Sequence, residues 1–483
     1  MSYGRAFAWH AQREPGASAI SFRETAGTRG ELERRSNRLA RAYAERGVGA
    51  GDLVTIALPN GVEFFEVCLA TWKLGATPNP ISCMLPERER RAIVEIANPA
   101  LLVGVGDDEY LDRNCLPAGF DPGGDSSDDG PLADRVSASA RAMTSGGSTG
   151  RPKVILDLTP AEIDPTVLEN LMTAGGTTLV PGPLYHAGPF ITAWQSLLAG
   201  RRVVVMERFD PEECLDLIEE HRVDWVLFVP TMMQRIWKLP RGERERRDLG
   251  SLQTVMCSGA PSPDWLKRAW IGWLGPDKIY EAYGGSERIG GTMISGSEWL
   301  AHPGSVGKPT EDRKVRILDS DGDELPAGEI GEVFMMPPGG QGSTYRYVGA
   351  TATSTPDGWE SLGDMGSLDE DGFLYLVDRK SDMIVSGGAN VYPAEVEAAI
   401  DAHDAVRSSA VIGLPDEDLG QRIHAIVDSP SGVEEDALRT YLAERLVRYK
   451  IPRSFEFVES PLRDDAGKVR RSALREQRID SQE

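Results

Sequence analysis

The chain has 483 residues, with 52 Lys and Arg against 75 Asp and Glu, which gives a formal net charge of −23. This acidic balance excludes a protein that binds a nucleic-acid backbone through an extended basic face, because such binding needs cationic side chains that displace counterions. Hydrophobic residues make up 40% and charged residues 26%, which is ordinary for a globular protein. At this length we expect about two to four domains.

The sequence also predicts a compartment. No apolar run approaches the roughly 18 residues that a membrane-spanning helix needs, and the first residues lack the apolar core of a signal peptide. The five cysteines are scattered, with no CxxC pair and no metal-ligand spacing. This usage favours a reducing environment. We therefore expect a cytoplasmic protein with no integral membrane segment and no nucleic-acid partner.

The first part of the chain alternates between helical and strand patterns, which predicts a mainly parallel sheet covered by helices. Such patterns follow one another over residues 29–52, 53–59, 62–76, 92–97 and 99–105, and further strands are predicted within 201–207, 223–230 and 252–261. Residues 105–136 are rich in Gly, Asp and Pro, and we expect a mobile surface excursion there.

The pattern changes from about residue 305. Short alternating runs are broken by Asp-Gly and Ala-Gly turns, which indicates antiparallel β-structure. The last part of the chain has helical patterns at 394–403 and 435–446 and strand patterns at 410–415 and 424–429. These elements predict a small α+β domain at the end of an α/β chain.

The stretch TSGGSTGRPK, from Thr144 to Lys153, combines glycines, hydroxyl residues and a lysine. Glycine lets the backbone approach an anion closely, hydroxyl and amide groups donate to phosphate oxygens, and the lysine adds positive charge. The Gly-Lys-Ser/Thr spacing of a Walker A loop is absent. A flexible Gly/Ser turn is the alternative interpretation, which the Arg-Pro-Lys ending disfavours.

Single residues further along the chain have both a functional and an ordinary interpretation. Glu287 follows an aromatic residue and two glycines, so its carboxylate could hold Mg²⁺ between phosphates, or it is a surface carboxylate. Tyr283 offers a flat ring on which adenine can stack, or it is a core tyrosine. His186 is structural or borders a substrate pocket, and Lys468 is a solvated lysine unless its context shows otherwise.

The order of these motifs resembles the adenylate-forming superfamily, which includes acyl- and aryl-CoA synthetases, nonribosomal-peptide adenylation domains and beetle luciferases. TSGGSTGRPK is similar to the phosphate-loop signature of that family. The other matching stretches are WKLGATPNPIS from Trp72, PLYHAGPF around His186, SGAP at 258–261, YEAYGGSE ending at Glu287, DGWESLGD ending at Asp364, DRKSDMIVSGGANVYPAEVE from Asp378, YKIPR at 449–453, and DDAGKVRRSALRE around Lys468.

The resemblance implies a fold and a reaction. It implies a large N-terminal domain, residues 1–380, with helix-covered parallel-type sheets and a β-barrel-like subdomain. A small mobile C-terminal α+β domain, residues 381–483, follows a hinge at Lys380 and Ser381. The implied enzyme is an AMP-forming acyl-CoA synthetase that uses ATP, Mg²⁺ and coenzyme A. It first forms an acyl-adenylate and pyrophosphate, and then a thioester and AMP.

The resemblance also assigns roles to residues. Lys468, Glu287 and His186 are the implied catalytic group, with Glu287 as the metal ligand and His186 beside the acid. Asp364 binds the ribose hydroxyls with the help of Arg379. The implied nucleotide site comprises Thr144, Ser145, Gly146, Gly147, Ser148, Thr149, Gly150, Lys153, Ser258, Gly259, Ala260, Pro261, Glu281, Ala282, Tyr283, Gly284, Ser286, Asp364 and Arg379, and the implied coenzyme A face comprises Ser386, Gly387 and Gly388.

The identity of the acid stays open at this stage. The stretches PLYHAGPF, VPTMMQRIW and TYRYVGATATS are similar to those of actinobacterial ligases for bulky or hydrophobic acids, including the bile-acid and steroid-acid branch. Candidate pocket residues are His186, Phe190, Trp194, Val229, Met232, Gly285 and Ile289. A glycine at 285 leaves room that a larger side chain would fill, which favours a bulky or aromatic acid. A medium-chain fatty acid is the alternative.

The chain departs from the family pattern in four places. Gly146 stands where serine is usual, Val154 where glycine is common, Leu362 where threonine is usual, and Ser381 where Asp or Lys is more frequent. None of these changes removes an expected metal ligand or charged catalytic group, so we expect an active enzyme. Two alternatives remain: an adenylation enzyme that loads a carrier protein, and a nucleotide-binding relative without activity. The oligomeric state is not predicted.

Overall fold

The computed structural model describes residues 1–106, 110, 112–123, 129–146, 152–309, 313–463 and 467–480. Its helices are α1 (Tyr3–Arg13), α2 (Arg29–Glu45), α3 (Val62–Lys73), α4 (Glu87–Ala97), α5 (Ala187–Leu198), α6 (Pro211–Glu220), α7 (Pro230–Trp237), α8 (Arg241–Glu245), α9 (Asp264–Leu274), α10 (Gly296–Ala301), α11 (Pro393–Asp401), α12 (Glu435–Ala443) and α13 (Arg471–Asp480). In the part of the chain described, no helix is long and apolar enough to span a bilayer.

The strands form five sheets. The largest contains β1 (Ser18–Phe22), β2 (Thr25–Thr28), β9 (Thr177–Val180), β10 (Arg202–Val205), β11 (Trp225–Phe228), β12 (Thr254–Cys257), β13 (Ile279–Gly284), β14 (Gly291–Ser295), β15 (Ser305–Pro309), β16 (Lys314–Leu318), β17 (Gly331–Met336), β19 (Thr353–Ser354), β20 (Glu360–Leu368) and β21 (Leu374–Arg379). One smaller sheet contains β3 (Leu53–Ile56), β4 (Thr77–Pro80), β5 (Leu101–Val103) and β6 (Cys115–Leu116), and a second contains β7 (Ala142–Gly146), β8 (Pro152–Asp157) and β18 (Tyr345–Val348). In a third, β22 (Ile384–Ser386) pairs with β23 (Ala389–Val391). The fourth contains β24 (Ser408–Asp416), β25 (Gly420–Asp428) and β26 (Ser454–Val458).

The predicted parallel, helix-covered sheet is confirmed. Strands β1, β10, β9, β11, β12 and β13 pair in parallel in that order. The crossovers from β9 to β13 each contain at least one helix, as parallel pairing requires. All four residues of β12 are buried, which fits a strand covered on both faces.

The predicted surface excursion at 105–136 needs a correction. Within it, Cys115 and Leu116 form the short strand β6, which pairs in parallel with β5. Both residues are buried, and Leu116 belongs to the largest core cluster. A two-residue strand is too short to show an alternating pattern in the sequence. Because the flanking residues are polar, the sequence predicted a surface segment throughout. Residues 107–109, 111 and 124–128 lie outside the described part of the chain.

The antiparallel part that was expected from about residue 305 is confirmed. Strands β13, β14, β15, β21, β20, β17 and β16 are successive antiparallel neighbours. They continue the parallel sheet across the β13–β14 pair, while β7, β8 and β18 form a separate antiparallel sheet beside them. The stretch YEAYGGSE therefore begins on β13, where the large sheet changes from parallel to antiparallel pairing.

The small α+β domain is also confirmed. Strands β24 and β25 pair along nine residues each, β26 adds in parallel to β25, and α11, α12 and α13 accompany them. Its own core cluster includes Val396, Ile400, Leu438 and Leu442. The unit thus has the separate hydrophobic core expected of a domain.

Two side chains near the end of α7 contact the small domain. The Gln234 Nε2 group donates to the main-chain oxygen of Asp401 at 3.1 Å. The Lys238 ammonium donates to the main-chain oxygen of Val406. Both acceptors lie in the small domain between the end of α11 and the start of β24. The two contacts therefore hold the small domain against α7 in the orientation seen here.

Lys238→Met should loosen the contact between α7 and the small domain. Loss of a charged donor to a main-chain oxygen should increase the opening of this contact by about 3- to 30-fold. Hydrogen exchange of the main-chain amides around Val406 checks this, with Lys314→Met on the exposed face of β16 as control. Unchanged exchange in Lys238→Met would contradict a stabilising contact.

Candidate active site

The turn after β13 carries Glu287, and β8 brings Lys153 to it. The Glu287 side chain is only 8% exposed. Its Oε1 atom accepts a hydrogen bond from the Tyr347 hydroxyl at 2.6 Å and lies 3.5 Å from Lys153 Nζ. Burial lowers the pKa of Lys153, while the Glu287 charge opposes that effect. The structure therefore brings together the predicted metal ligand and the predicted phosphate-binding lysine.

The donor set fits Mg²⁺ better than a metal held by protein alone. Among the described residues, no group of three or more His, Cys, Asp or Glu could hold a metal ion. Mg²⁺ is commonly bound through one or two carboxylates, with substrate phosphates and waters as the other ligands. A single buried carboxylate beside a lysine is consistent with that arrangement.

The phosphate-loop prediction falls partly on described residues. Strands β7 and β8 pair up to Gly146 and Pro152, on either side of 147–151. The Thr144 hydroxyl accepts from Asn79 Nδ2 at 3.2 Å. The Ser145 hydroxyl is buried and has no hydrogen-bond partner among the residues described. A buried hydroxyl in that state fits an anionic ligand. Gly147, Ser148, Thr149 and Gly150 lie outside the described residues.

Tyr283, Asp364 and Arg379 meet as the resemblance implies. The Tyr283 hydroxyl donates to Asp364 Oδ2 at 2.7 Å, and Arg379 Nε lies 3.4 Å from Asp364 Oδ1. Asp364 and Arg379 are opposite each other in the β20–β21 pair. Burial, followed by the nearby Asp364 charge, raises the pKa of Tyr283, which stays a donor. The contact orients the ring predicted to stack on adenine toward the carboxylate predicted to bind ribose.

The SGAP segment lies beside the same strand. The Ser258 hydroxyl donates to the main-chain oxygen of Ala282 at 2.7 Å. Gly259 has φ +90°, a left-handed conformation that favours glycine. Ala260 is half-buried and Pro261 is exposed. The segment therefore reaches β13 through Ser258.

The residues of β13 and of the turn that follows it differ in their solvent exposure. The Glu281 carboxylate is buried and forms an ion pair with Lys267, so this side chain is part of the interior of the large domain. Ala282 and Ser286 are half-buried and Gly284 is exposed. The predicted roles of these residues in nucleotide binding stay predictions. At Glu281 only the main chain could contact a nucleotide, because the side chain is paired with Lys267.

His186 and Lys468 come from different domains and lie close together. His186 is the N-cap residue of α5, and its Nε2 atom is buried without a hydrogen-bond partner among the described residues. Burial, followed by the Lys468 charge, lowers the pKa of His186 to about 3. The imidazole is therefore neutral at physiological pH. It can orient a substrate group, but it does not supply a charge.

The turn before Lys468 also contacts the large domain. Gly467 has φ +74°, and a Cβ atom there would lie 2.5 Å from Thr231 Oγ1 in α7. Any larger residue would push this turn away from α7. The small domain is thus oriented with the turn before Lys468 against α7.

One residue of the predicted hinge is held by the large domain, and a further hydrogen bond crosses the hinge. The Lys380 main-chain N–H donates to the Gly363 oxygen, and its ammonium lies 2.8 Å from Glu332 Oε2 on β17. The Asp378 carboxylate accepts from the Ala394 N–H in the first turn of α11 at 2.7 Å. Ser381 is exposed, and its hydroxyl donates to the adjacent Asp382 at 3.2 Å. A pivot at Lys380–Ser381 stays a prediction.

The predicted coenzyme A face forms the turn between β22 and β23. Gly387 and Gly388 have φ +57° and +80° and are exposed, and Ser386 is half-buried. The Gly387 N–H donates to the Leu419 oxygen within the small domain at 3.0 Å. A backbone without Cβ atoms at the tip leaves room for a ligand to approach closely.

The acyl-pocket candidates fall into separate apolar clusters. Phe190 and Trp194 are in the largest core cluster, where the Trp194 ring packs against that of Trp72 at 4.5 Å. Val229 and Met232 pack with a second cluster. Ile289 is fully buried in a third. These five side chains therefore pack in three separate clusters, and their place around an acyl pocket stays a prediction.

Gly285 also differs from the expectation. A Cβ atom there would lie 2.7 Å from Leu362 Cδ1 and 2.8 Å from Glu287 Oε2. A side chain at this position would therefore meet Leu362 and the Glu287 turn first, and would not simply extend into an acyl pocket.

Gly285→Leu should lower activity with every acid. Overpacking against Leu362 and Glu287 should reduce kcat/KM by at least about tenfold for small and bulky acids alike. Acid-dependent pyrophosphate release with a short and a bulky acid measures this. Gly272→Ala on α9, where a Cβ meets nothing within 4 Å, is the control. Selective loss of the bulky acid would instead assign residue 285 to the acyl pocket.

Tyr347 is a site residue that the sequence did not indicate. Thr344 and Tyr347, both in the stretch TYRYVGATATS, contact Glu287. A tyrosine in an alternating strand pattern is ordinary, so nothing in the local pattern pointed to this role.

Family models and curated relatives match most of the chain. The family described as AMP-binding enzyme matches residues 7–342, and the AMP-binding enzyme C-terminal domain matches residues 395–468. A feruloyl-CoA synthase from Amycolatopsis is 33% identical over 96% of this chain and 96% of its own length. The long-chain-fatty-acid–CoA ligase FadD13 of Mycobacterium tuberculosis is 30% identical over 93% of each chain.

The fold agrees with that of a solved structure as well. The o-succinylbenzoate-CoA synthetase of Bacillus subtilis, in complex with the acyl-adenylate intermediate OSB-AMP, aligns with a TM-score of 0.84 and 27% identity over 97% of each chain. Its complex with ATP and a magnesium ion aligns with a TM-score of 0.80. The chain belongs to the AMP-binding enzyme family, as an AMP-forming acyl-CoA ligase of the adenylate-forming superfamily.

Proposed function

We propose that this enzyme joins a bulky aromatic or fatty carboxylic acid to coenzyme A. The observation that carries the proposal is the meeting of two groups from different domains, Lys468 beside His186, next to a nucleotide site built from Glu287 and Asp364. The similarity over nearly the whole chain to a feruloyl-CoA synthase favours an aromatic acid. A fatty acid is the second choice, supported by the similarity to FadD13.

In the first half-reaction, a carboxylate oxygen of the acid attacks the α-phosphorus of ATP. The bond to the β-phosphate oxygen breaks, and pyrophosphate leaves. Lys468 stabilises the negative charge that builds up at the carboxylate and the α-phosphate, and Lys153 neutralises the departing phosphates. Neutral His186 orients the acid. Glu287 would hold Mg²⁺, and a Lewis acid bound there would offset charge on the phosphates.

In the second half-reaction, the thiol sulfur of coenzyme A attacks the acyl carbon. The carbon–oxygen bond to AMP breaks, and the thiol proton goes to solvent. We assign this step to a second orientation of the small domain, reached by rotation at Lys380–Ser381 between domains 1–380 and 381–483. That rotation would replace Lys468 by the turn of Ser386, Gly387 and Gly388.

The proposed location is the cytoplasm. All five cysteines are free thiols, and four of them are buried, which suits a reducing compartment. The proposed partners are the small-molecule acid, ATP and coenzyme A, with no nucleic acid. The −23 net charge agrees with that choice.

A screen of pyrophosphate release tests the function. Purified enzyme with MgATP is offered benzoic, hydroxycinnamic, medium-chain, long-chain and steroid acids, with and without coenzyme A. We expect acid-dependent release for a hydroxycinnamic acid, and a thioester only when coenzyme A is present. Release with a thioester formed only on a phosphopantetheine carrier protein would instead favour carrier loading. ATP binding without release for any acid would favour the inactive relative.

A further inference from the structure

Tyr347 contacts both charged groups at the metal-binding turn. It lies on β18, opposite Ile155 in the pair with β8. Its hydroxyl donates to Glu287 Oε1 at 2.6 Å, and Lys153 Nζ lies 3.8 Å from its ring centroid. Tyr347 therefore contacts the Glu287 carboxylate through its hydroxyl. It contacts Lys153 through the face of its ring, which is a cation–π interaction.

The surroundings fix the main chain of the same turn. The Thr344 hydroxyl donates to the main-chain oxygen of Glu287 at 2.8 Å. On the other side, Arg288, with φ +56°, donates to Thr159 Oγ1 at 2.9 Å. The Glu287 turn is thus held on both sides, and Tyr347 decides where the carboxylate points.

The two carboxylate oxygens of Glu287 face different surroundings. Oε1 is occupied by the Tyr347 hydroxyl. Oε2 lies near Gly285, 2.8 Å from where a Cβ atom would be, so the absence of that atom leaves space beside it.

We propose that Tyr347 is a positioning residue that holds Glu287 Oε1 so that Oε2 is presented for Mg²⁺, while its ring holds Lys153 beside the phosphate site. This inference rests on the proposed metal role of Glu287. It adds a residue that acts through Glu287 and Lys153 and does not itself touch the reacting atoms.

Two variants separate the hydroxyl from the ring. Tyr347→Phe keeps the ring under Lys153 and removes the bond to Glu287, whereas Tyr347→Leu removes both. ATP binding is measured by titration calorimetry over a series of Mg²⁺ concentrations and in EDTA. For Tyr347→Phe we expect the apparent Mg²⁺ affinity of the ATP complex to fall about tenfold, with ATP binding in EDTA unchanged. For Tyr347→Leu we expect binding in EDTA to weaken as well.

Tyr375→Phe is the matched control. Tyr375 lies on β21 and its hydroxyl donates to the Asp369 carboxylate at 3.1 Å, so this variant removes the same kind of bond away from the Glu287 turn and should keep the wild-type Mg²⁺ dependence. An unchanged Mg²⁺ dependence in Tyr347→Phe, or an equal loss with and without Mg²⁺, would overturn the inference. Glu287→Gln tests the underlying proposal separately. If it shifts the Mg²⁺ dependence and Tyr347→Phe does not, only the role of Tyr347 fails.

Discussion

Glu287→Gln should lower acid-dependent pyrophosphate release by about 100-fold or more, because a neutral amide is a much poorer ligand for a hard cation. The fold should survive. The amide has nearly the same size, and its carbonyl oxygen can still accept the 2.6 Å hydrogen bond from Tyr347. Lys153 loses its charged partner but keeps its position over the Tyr347 ring. Initial rates at saturating ATP, over a range of Mg²⁺ concentrations, measure the effect.

Glu245→Gln is the control for this change. Glu245 forms an exposed ion pair with Arg241 one helical turn away, at 2.8 Å, so its neutralisation removes the same charge far from the site. We expect wild-type rates and wild-type unfolding for that variant. Wild-type pyrophosphate release in Glu287→Gln would remove Glu287 from the metal site, and with it the single-carboxylate arrangement described above.

Sequence patterns predicted the elements that have a strong period. Alternating helices and buried strands up to about residue 300 gave the parallel sheet, because each strand is a short apolar run between amphipathic helices. The antiparallel pairs after residue 305 followed from tight turns. Cys115 and Leu116 were missed because two residues carry no period, although both are buried in β6.

Side-chain partners were less predictable than motifs. Tyr283, Asp364 and Arg379 are far apart in the sequence, yet the motif order indicated that they belong together, and they do meet. The contact of Tyr347 with Glu287 depends on β18 pairing with β8, which no local pattern records. For the same reason, the sequence did not show that the Glu281 carboxylate is paired with Lys267.

The pocket candidates show a further limit. Phe190 and Trp194 have the size and spacing of pocket residues, but helical spacing does not distinguish a face that lines a cavity from one that packs on other helices. Here both side chains pack with aromatic residues of α3, among them Trp72 and Phe65. The choice of acid therefore depends on assays more than on the pocket candidates.

Lys468→Ala and Ser381→Pro should have opposite effects on the two half-reactions. Lys468 reaches the large domain beside His186 in the orientation seen here, and it should matter only while negative charge develops during adenylate formation. Lys468→Ala should therefore lower adenylate formation by about 100-fold or more. Conversion of a supplied acyl-adenylate and coenzyme A to thioester should stay within about threefold of wild type, since that step uses the other orientation.

Ser381→Pro acts on the pivot. Proline fixes φ and also restricts the preceding residue, Lys380, which is already tied to Gly363 and Glu332. A stiff pivot should retain the orientation with Lys468 in place, so adenylate formation should persist while thioester formation falls. Ser381→Ala, which removes the hydroxyl and keeps backbone freedom, should leave both steps near wild type. Single-turnover measurements of each half-reaction in the three variants decide between the alternatives: equal slowing of both steps in Lys468→Ala would contradict alternating orientations of the small domain.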